Sequence, residues 1–98
     1  MTLSLGLTPE AKGDLLETRD WYEAQRRGWG EVFHRSVEAC LARIRRTPRA
    51  FASVHGEVRC ARLRRFPHGI FYWIEDEQIV VFAIWHGRRD PRGWQGRT

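Results

Sequence analysis

The sequence predicts an α+β fold, in which a helical hairpin packs on a small, mostly antiparallel sheet in the order β-α-α-β-β-β. Two observations predict this class. Two amphipathic stretches of helical periodicity follow one another early in the chain, on either side of the glycine-containing residues 28–30. Later, residues 66–74 and 79–86 are rich in β-branched and aromatic residues and flank the polar residues 75–78, which is typical of a β-hairpin. With 98 residues, the chain is expected to be one domain, residues 1–98.

The chain is predicted to begin with a strand followed by a helix. Residues 2–7 alternate leucine with small or polar residues, which predicts a short strand with one buried face. Thr8 supplies a capping hydroxyl and Pro9 suits the first helical position, so a helix is expected from here to about residue 27. Its buried stripe contains Ala11 and Tyr22. The acidic residues expected on its outer surface are Asp14, Glu17, Asp20 and Glu23.

A second helix is predicted over about residues 31–46. Phe33, Val37 and Ile44 recur there at the spacing of one helix face. Pro48 disfavours the helical conformation of the residue before it, so the helix should end nearby. The following residues, up to residue 57, are expected to form a loop.

Three strands are predicted in the remainder of the chain. Residues 58–65 alternate apolar and polar residues, and a strand would make Arg62 and Arg64 project from one face, about 7 Å apart. The two runs of the hairpin are apolar on both faces, which predicts strands inside the sheet. On the second run, one face is expected to hold Val81, Ala83 and Trp85, and the other Phe82 and Ile84.

Charge and composition narrow the function classes. The net charge of +5 favours a polyanion or an acidic protein as the partner. No stretch approaches the roughly 20 apolar residues of a membrane span, and no secretory pattern opens the chain, so a cytoplasmic location is expected. Cys40 and Cys60 have neither metal nor redox spacing, and the four histidines are scattered. Neither a cofactor nor a metal site is therefore predicted.

Several segments together resemble the RelE/ParE toxin superfamily, and ParE-like members more closely. They are Tyr22 on the first helix, the Pro-x-x-Phe of residues 48–51, Leu-Arg-Arg-Phe-Pro at residues 63–67, and His-Gly-Arg-Arg-Asp-Pro at residues 86–91 followed by Trp94. The resemblance covers nearly the whole chain in the right order, and its most specific part is the His-x-x-Arg-Asp-Pro segment. It implies a RelE/ParE-like toxin domain, from a bacterial type II toxin–antitoxin pair.

The resemblance implies one of two activities. RelE-like members cleave mRNA in the ribosome, whereas ParE-like members inhibit DNA gyrase by binding. RelE-like nucleases place an arginine where this chain has Gly69, a second arginine that Arg89 matches, and a tyrosine near Gln95. Two of these three groups are absent, so a ParE-like gyrase inhibitor of plasmid-stabilisation type is the preferred prediction. If the chain were instead a metal-free endoribonuclease, the candidate catalytic residues would be Arg62, Arg64, His86 and Arg89, with His68 as another acid–base candidate.

Partner surfaces complete the prediction. The resemblance implies an acidic, partly disordered antitoxin, bound in a hetero-oligomer by strand addition and helix-in-groove docking. A third alternative is a non-toxic module that only binds the antitoxin. Trp94 is expected either to contact the target or to cap the sheet. Trp21 and Phe33 are expected either to bind the antitoxin or to belong to the core. Asp90 is expected to stabilise a turn by hydrogen bonds to the local backbone. The candidate target-binding residues are Arg65, Arg88, Arg89, Arg92 and Trp94; the candidate antitoxin-binding residues are Leu3, Leu5, Trp21, Trp29 and Phe33.

Overall fold

The computed structural model describes residues 3–98. The predicted α+β class is confirmed, as is the order of a strand, a helical hairpin and a C-terminal sheet. Two short elements, β2 and α3, are additional to the prediction, and residue 2, expected to begin the first strand, lies outside the described residues. The elements are β1 (Ser4–Leu7), α1 (Pro9–Gln25), α2 (Trp29–Arg46), β2 (Ser53–His55), β3 (Val58–Arg62), β4 (His68–Glu75), β5 (Gln78–His86) and α3 (Arg92–Gln95).

The first helix begins as the sequence predicts. The Thr8 hydroxyl accepts a hydrogen bond from the Ala11 N–H at 3.2 Å, and Pro9 occupies the first turn. One acidic residue departs from the predicted outer surface, because Asp14 is only 9% exposed. Its neighbour Leu15 packs against the core, so Asp14 lies on the flank of the helix that faces the sheet.

The connection at the tip of the helical hairpin has three residues, as predicted, but it lies two residues earlier in the chain, since α1 ends at Gln25 and α2 begins at Trp29. Gly28 adopts a left-handed φ of 93°, which a glycine tolerates at little cost. The Glu23 carboxylate accepts hydrogen bonds from the N–H groups of Gly28 and Gly30, both at 3.0 Å. These two bonds hold the pKa of Glu23 below its usual range and fix the two helices as an antiparallel pair.

The five strands form one sheet in the order β1-β5-β4-β3-β2. β1 runs parallel to β5, and the other three pairs are antiparallel. The leucine strand β1 is therefore one edge of the sheet, and β2 is the other. β2 escaped the sequence prediction because all three of its residues are exposed and show no alternation.

Each face of the sheet carries its own hydrophobic cluster. The α-hairpin covers one face, and the larger cluster fills the space between them. The opposite face carries a smaller cluster to which the end of the chain contributes Trp94. The larger cluster contains Ala11, Phe33, Val37, Cys40, Ile44, Ala61, Leu63, Phe66, Ile70, Tyr72, Ile79, Val81 and Ile84; the smaller one contains Val58, Phe82, Ala83, Trp85 and Trp94.

A β-bulge in β5 changes the predicted faces of that strand. Between Val81 and Ala83, β5 holds one residue more than β4 does opposite it, so Phe82 has no partner on β4. The prediction that Val81, Ala83 and Trp85 share a face is consequently wrong. Val81 faces the helices, whereas Ala83 and Trp85 lie on the opposite face.

Candidate functional site

The C-terminal tail, residues 87–98, leaves the end of β5 and folds back onto the sheet. Asp90 closes its first turn, as the sequence predicts: its carboxylate accepts hydrogen bonds from the Arg92 N–H at 2.9 Å and from the Arg92 guanidinium at 2.6 Å. These bonds hold the pKa of Asp90 below its usual range, and the bond from the guanidinium has the larger effect. Both residues are exposed, and Arg92 has its countercharge two residues away.

Trp85 is the surface on which the tail packs. The Arg89 guanidinium carbon lies 3.7 Å from the centroid of the Trp85 ring, and that of Arg97 lies 5.0 Å from it. The indole N–H donates to the Asp90 carbonyl at 3.2 Å. A Cβ at Gly93 would lie 2.6 Å from Cη2 of the same ring, so only glycine lets α3 approach this closely. Two arginines are therefore held against one indole by cation–π contact.

Trp94 caps the sheet. It is 5% exposed, and its ring stacks on Phe71 with centroids 4.4 Å apart. Phe82 and His55 also lie against it, at 6.3 and 5.8 Å between centroids. Of the two alternatives open for Trp94, the sheet-capping one describes its position in this chain, and its ring is not available as a free contact.

The end of the tail is held by a mostly buried ion pair at the bulge. Arg97 Nη1 donates to Asp14 Oδ2 at 2.6 Å and to the Phe82 carbonyl at 3.0 Å. Asp14 Oδ2 also accepts the Ile84 N–H at 3.0 Å. β1 ends at Leu7, opposite Val81, so β5 has no neighbouring strand on that side at Phe82 and Ile84, and the ion pair binds the backbone groups of both residues. The pair thus ties α1, the edge of the sheet and the C-terminus together.

Three of the four candidate nuclease residues line one depression on the sheet face opposite the helices. Arg62, His86 and Arg89 surround it, and Gly69 lies on its floor; its volume is about 200 Å³. A Cβ at Gly69 would lie 2.6 Å from Cys60 Sγ, so a side chain at the position where a RelE-like nuclease carries arginine would require Cys60 to move.

Arg64, the fourth candidate, lies elsewhere. β3 ends at Arg62, and Arg64 follows it in the bend before β4, against α2. The prediction that Arg62 and Arg64 project side by side from one strand is therefore wrong. At the expected position of the catalytic tyrosine, the short helix α3 carries Gln95.

A larger groove of about 750 Å³ lies between α1 and the end of the sheet at which the tail begins. His68 borders it and is 6% exposed, with a ring centroid 5.0 Å from that of His86. Burial is the larger cause, and the neighbouring His86 the smaller one, of a His68 pKa lowered to about 4. The imidazole is therefore neutral at pH 7. Within residues 3–98 its Nδ1 has no hydrogen-bond partner. The groove is lined by Glu17, Thr18, Asp20, Trp21, Tyr22, His68, His86 and Arg89.

The candidate antitoxin-binding residues fall into an exposed and a buried group. Trp21 is 58% exposed and Trp29 38% exposed, so both are accessible at the helical hairpin. Leu3 and Leu5 are partly buried along the β1 edge. Phe33 is fully buried, so it is a core residue and not an accessible contact for an antitoxin. Trp21, conversely, is not a core residue.

Three residues of this site were not predicted from the sequence. Trp85 and Arg97 were not singled out, and Asp14 was assigned to the solvent-facing side of α1. The only available signal was the position of Asp14 between Ala11 and Leu15, which places an acid beside an apolar stripe. Across residues 3–98, no group of three or more histidine, cysteine or acidic side chains is arranged to hold a metal ion, and no helix is long and apolar enough to span a membrane.

The fold and the site define a class: a small α+β protein of the RelE/ParE type, with a basic C-terminal tail packed on its sheet. A family profile described as "ParE toxin of type II toxin-antitoxin system, parDE" matches residues 5–91. The chain belongs to this family of toxins.

Two kinds of relative support the assignment. The chain is 30% identical over 103 residues to proteins named Toxin ParE2 from Mycobacterium tuberculosis, strains CDC 1551 / Oshkosh and ATCC 25618 / H37Rv; the match covers 100% of this chain and 98% of each relative. A solved structure described as the chromosomal ParDE TA system from P. aeruginosa superposes with a TM-score of 0.76 at 20% identity. It covers 85% of this chain and 94% of that one, which confirms the fold.

Proposed function

We propose that residues 1–98 act as a single cytoplasmic toxin domain that inhibits DNA gyrase by binding and is neutralised by a cognate antitoxin. The observation that carries the choice of binding over RNA cleavage is the floor of the 200 Å³ depression. There Gly69, packed against Cys60, stands in place of the catalytic arginine of a nuclease. Metal-free RNA cleavage needs cations around the phosphate and a proton donor for the leaving oxygen. Gln95 supplies neither.

The target surface in this proposal is the corner of the sheet from which the tail departs. Arg65, Arg88 and Arg89 are exposed there or on the neighbouring β3–β4 connection. Arg89 lies over Trp85 and borders both the depression and the groove. Arg92 contributes less, since Asp90 compensates its charge.

In this proposal the antitoxin binds the first strand and the helical hairpin, and its surface meets the target surface at the groove, which Arg89 also lines. β1 is an edge strand and can accept a further strand, while Trp21 and Trp29 present aromatic area beside the 750 Å³ groove. The P. aeruginosa structure is described as a ParDE system, which supports the same type of partner here. A net charge of +5 favours an acidic one.

Ribosome-dependent mRNA cleavage is the second candidate function. It is favoured by one observation, the convergence of Arg62, His86 and Arg89 on a single depression. A non-toxic module that only sequesters an antitoxin is the third. Induced expression with and without the neighbouring small reading frame separates toxin from non-toxin, and normal growth without that partner would refute the toxin proposal.

A reconstituted assay distinguishes the two targets. We expect the purified chain to inhibit supercoiling by gyrase while mRNA on translating ribosomes stays intact. Codon-periodic cleavage detected by primer extension, with supercoiling unaffected, would reverse the assignment.

Arg89→Ala tests the tail as the working surface. We expect it to weaken gyrase inhibition at least tenfold without unfolding the chain, because the Arg89 side chain is exposed and packs on Trp85 only through its guanidinium. Arg27→Ala, an exposed change of the same charge at the hairpin tip, is the matched control. Equal inhibition by the two variants, measured as the concentration for half-maximal effect, would exclude the tail.

A further inference from the structure

The excess positive charge of the chain lies in its middle. Residues 39–74 contain eight arginines and a single glutamate, which gives this segment a net charge of +7. Residues 1–38 contain seven acidic and five basic residues, and residues 75–98 contain four of each. The largest share of the positive charge therefore lies in α2, β3 and the connections beside them, while residues 87–98 of the tail carry four arginines and one aspartate, a net charge of +3.

None of these eight arginines is neutralised within the fold. All ion pairs among residues 3–98 involve side chains outside residues 39–74. Two of the eight are held by backbone carbonyls: Arg43 donates to the Arg62 carbonyl at 2.9 Å, and Arg59 donates to that of Phe51 at 2.6 Å. The exposed ones are Arg45, Arg46, Arg49, Arg62, Arg64 and Arg65.

Three of the arginines border one depression of about 330 Å³ on the outer side of α2. Arg43 and Arg46 come from the last turns of the helix, and Arg64 reaches it from the bend after β3. Burial raises the pKa of the neighbouring Cys40 thiol, and Arg43 and Arg64 both oppose this rise. The lining is completed by Ser36, Ala39 and Ala42.

The lining favours a phosphate backbone over the other polyanions. Serine and alanine present little apolar surface, so an acidic peptide would find no hydrophobic anchor of the kind that protein interfaces use. No aromatic side chain lines this depression, so it lacks the stacking platforms typical of single-strand binders. Small side chains let a bulky backbone approach the helix, and guanidinium groups match phosphate oxygens in pairs.

We propose that this α2 surface binds the phosphate backbone of duplex nucleic acid without reading its sequence. Arg43, Arg46 and Arg64 contact phosphates, and Ser36 donates its hydroxyl. The surface shares no lining residue with the depression or the groove at the tail, so binding here does not depend on gyrase or on the antitoxin.

The test is fluorescence anisotropy with two labelled 20-base-pair DNA duplexes of unrelated sequence and the purified full-length chain, titrated from 50 to 300 mM salt. The variant is Arg46→Gln/Arg64→Gln, which removes two exposed guanidinium groups and leaves the Arg43 hydrogen bond to β3 in place. We expect equal affinity for both duplexes, at least tenfold weaker binding by the variant at 50 mM salt, and a log–log salt slope shallower by about 2.

The matched control is Lys12→Gln/Arg27→Gln, which removes the same charge from exposed positions on the first helix and the hairpin tip. It should bind DNA within about twofold of the wild type. An equal loss in control and variant would overturn the proposal, because net charge alone would then account for binding. Competition by polyglutamate as strong as that by unlabelled duplex would also overturn it, in favour of an acidic protein partner. Failure of the wild type to bind either duplex at 50 mM salt would also overturn the proposal.

Discussion

The arginines of the C-terminal tail and those of residues 39–74 have opposite roles in this molecule. In the tail, Arg92 is paired with Asp90, Arg97 is paired with Asp14, and Arg89 lies 3.7 Å from the centroid of the Trp85 ring. In residues 39–74, no arginine has an acidic partner within the described part of the chain. Two of the tail's four arginines are thus neutralised by an acidic partner, whereas none of the eight arginines of the middle segment is neutralised within residues 3–98.

A count of charges does not distinguish an arginine that stabilises the fold from one that contributes to the electrostatic field around the protein. An arginine that anchors a chain terminus contributes to stability and little to the external field, since its charge is compensated at close range. An exposed arginine without a partner contributes to the field and little to stability. Substitutions in the two regions should therefore affect different measurements.

The largest expected effect is on the tail. Arg97→Ala leaves Asp14, only 9% exposed, with a buried charge and removes the hydrogen bond to the Phe82 carbonyl at the bulge. Breaking such a pair typically costs about 3–5 kcal/mol of unfolding free energy, and Arg97 is partly exposed, so we expect about 3. Urea denaturation measures it. Arg92→Ala, whose ion pair with Asp90 is exposed, should leave the urea midpoint close to that of the wild type. Similar losses of stability in both variants would mean that the buried and the exposed ion pair of the tail contribute equally.

Low pH should reduce the stability of the fold through His68, which lies at the end of the sheet where the tail begins. The pKa of His68 falls from its ordinary 6.5 to about 4 in the folded chain, so between these values the unfolded chain binds more protons. Stability is therefore full above pH 6.5 and falls as the pH drops from 6.5 to 4, by up to about 3 kcal/mol.

The measurement is urea denaturation at pH 7.5 and pH 4.5, on the wild type and on His68→Gln. We expect the wild type to lose more stability between the two pH values than the variant does, because glutamine does not titrate. Identical losses would mean that His68 is not kept neutral by the fold.

The smallest expected effect is on the middle segment. Arg46→Gln/Arg64→Gln should change the unfolding free energy by less than about 0.5 kcal/mol, because both side chains are exposed and neither has an ion pair within residues 3–98. The midpoint of thermal unfolding should stay within a few degrees of the wild type. A loss comparable to that of Arg97→Ala would mean that these arginines also hold the fold together.

Much of the fold followed from the sequence, because local patterns specify it. The hydroxyl of Thr8, the spacing of Phe33 and Ile44, and the apolar runs of β4 and β5 each predict one element without reference to the rest of the chain. β2 could not be predicted in this way, since its three residues are exposed and are ordered by pairing with β3.

The candidate site was less accessible to sequence reasoning. The turn at Asp90 was predicted because its hydrogen bonds are local. The pairing of Asp14 with Arg97 joins residues 83 positions apart, and the burial of Trp94 depends on Phe71 in another strand. Such contacts leave no periodic signal.

By itself, the sequence determined the α+β class, the family resemblance and the position of the basic tail, since these rest on periodicity and on short motifs. Only the tertiary structure decided what the tail does. A single-residue bulge at Phe82 reverses the faces of β5 beyond Val81, and past the end of β1 the Phe82 carbonyl and the Ile84 N–H bind Arg97 and Asp14. One extra residue in a strand changes which side chains are buried and which charges meet, and that follows from the pairing of strands distant in the chain.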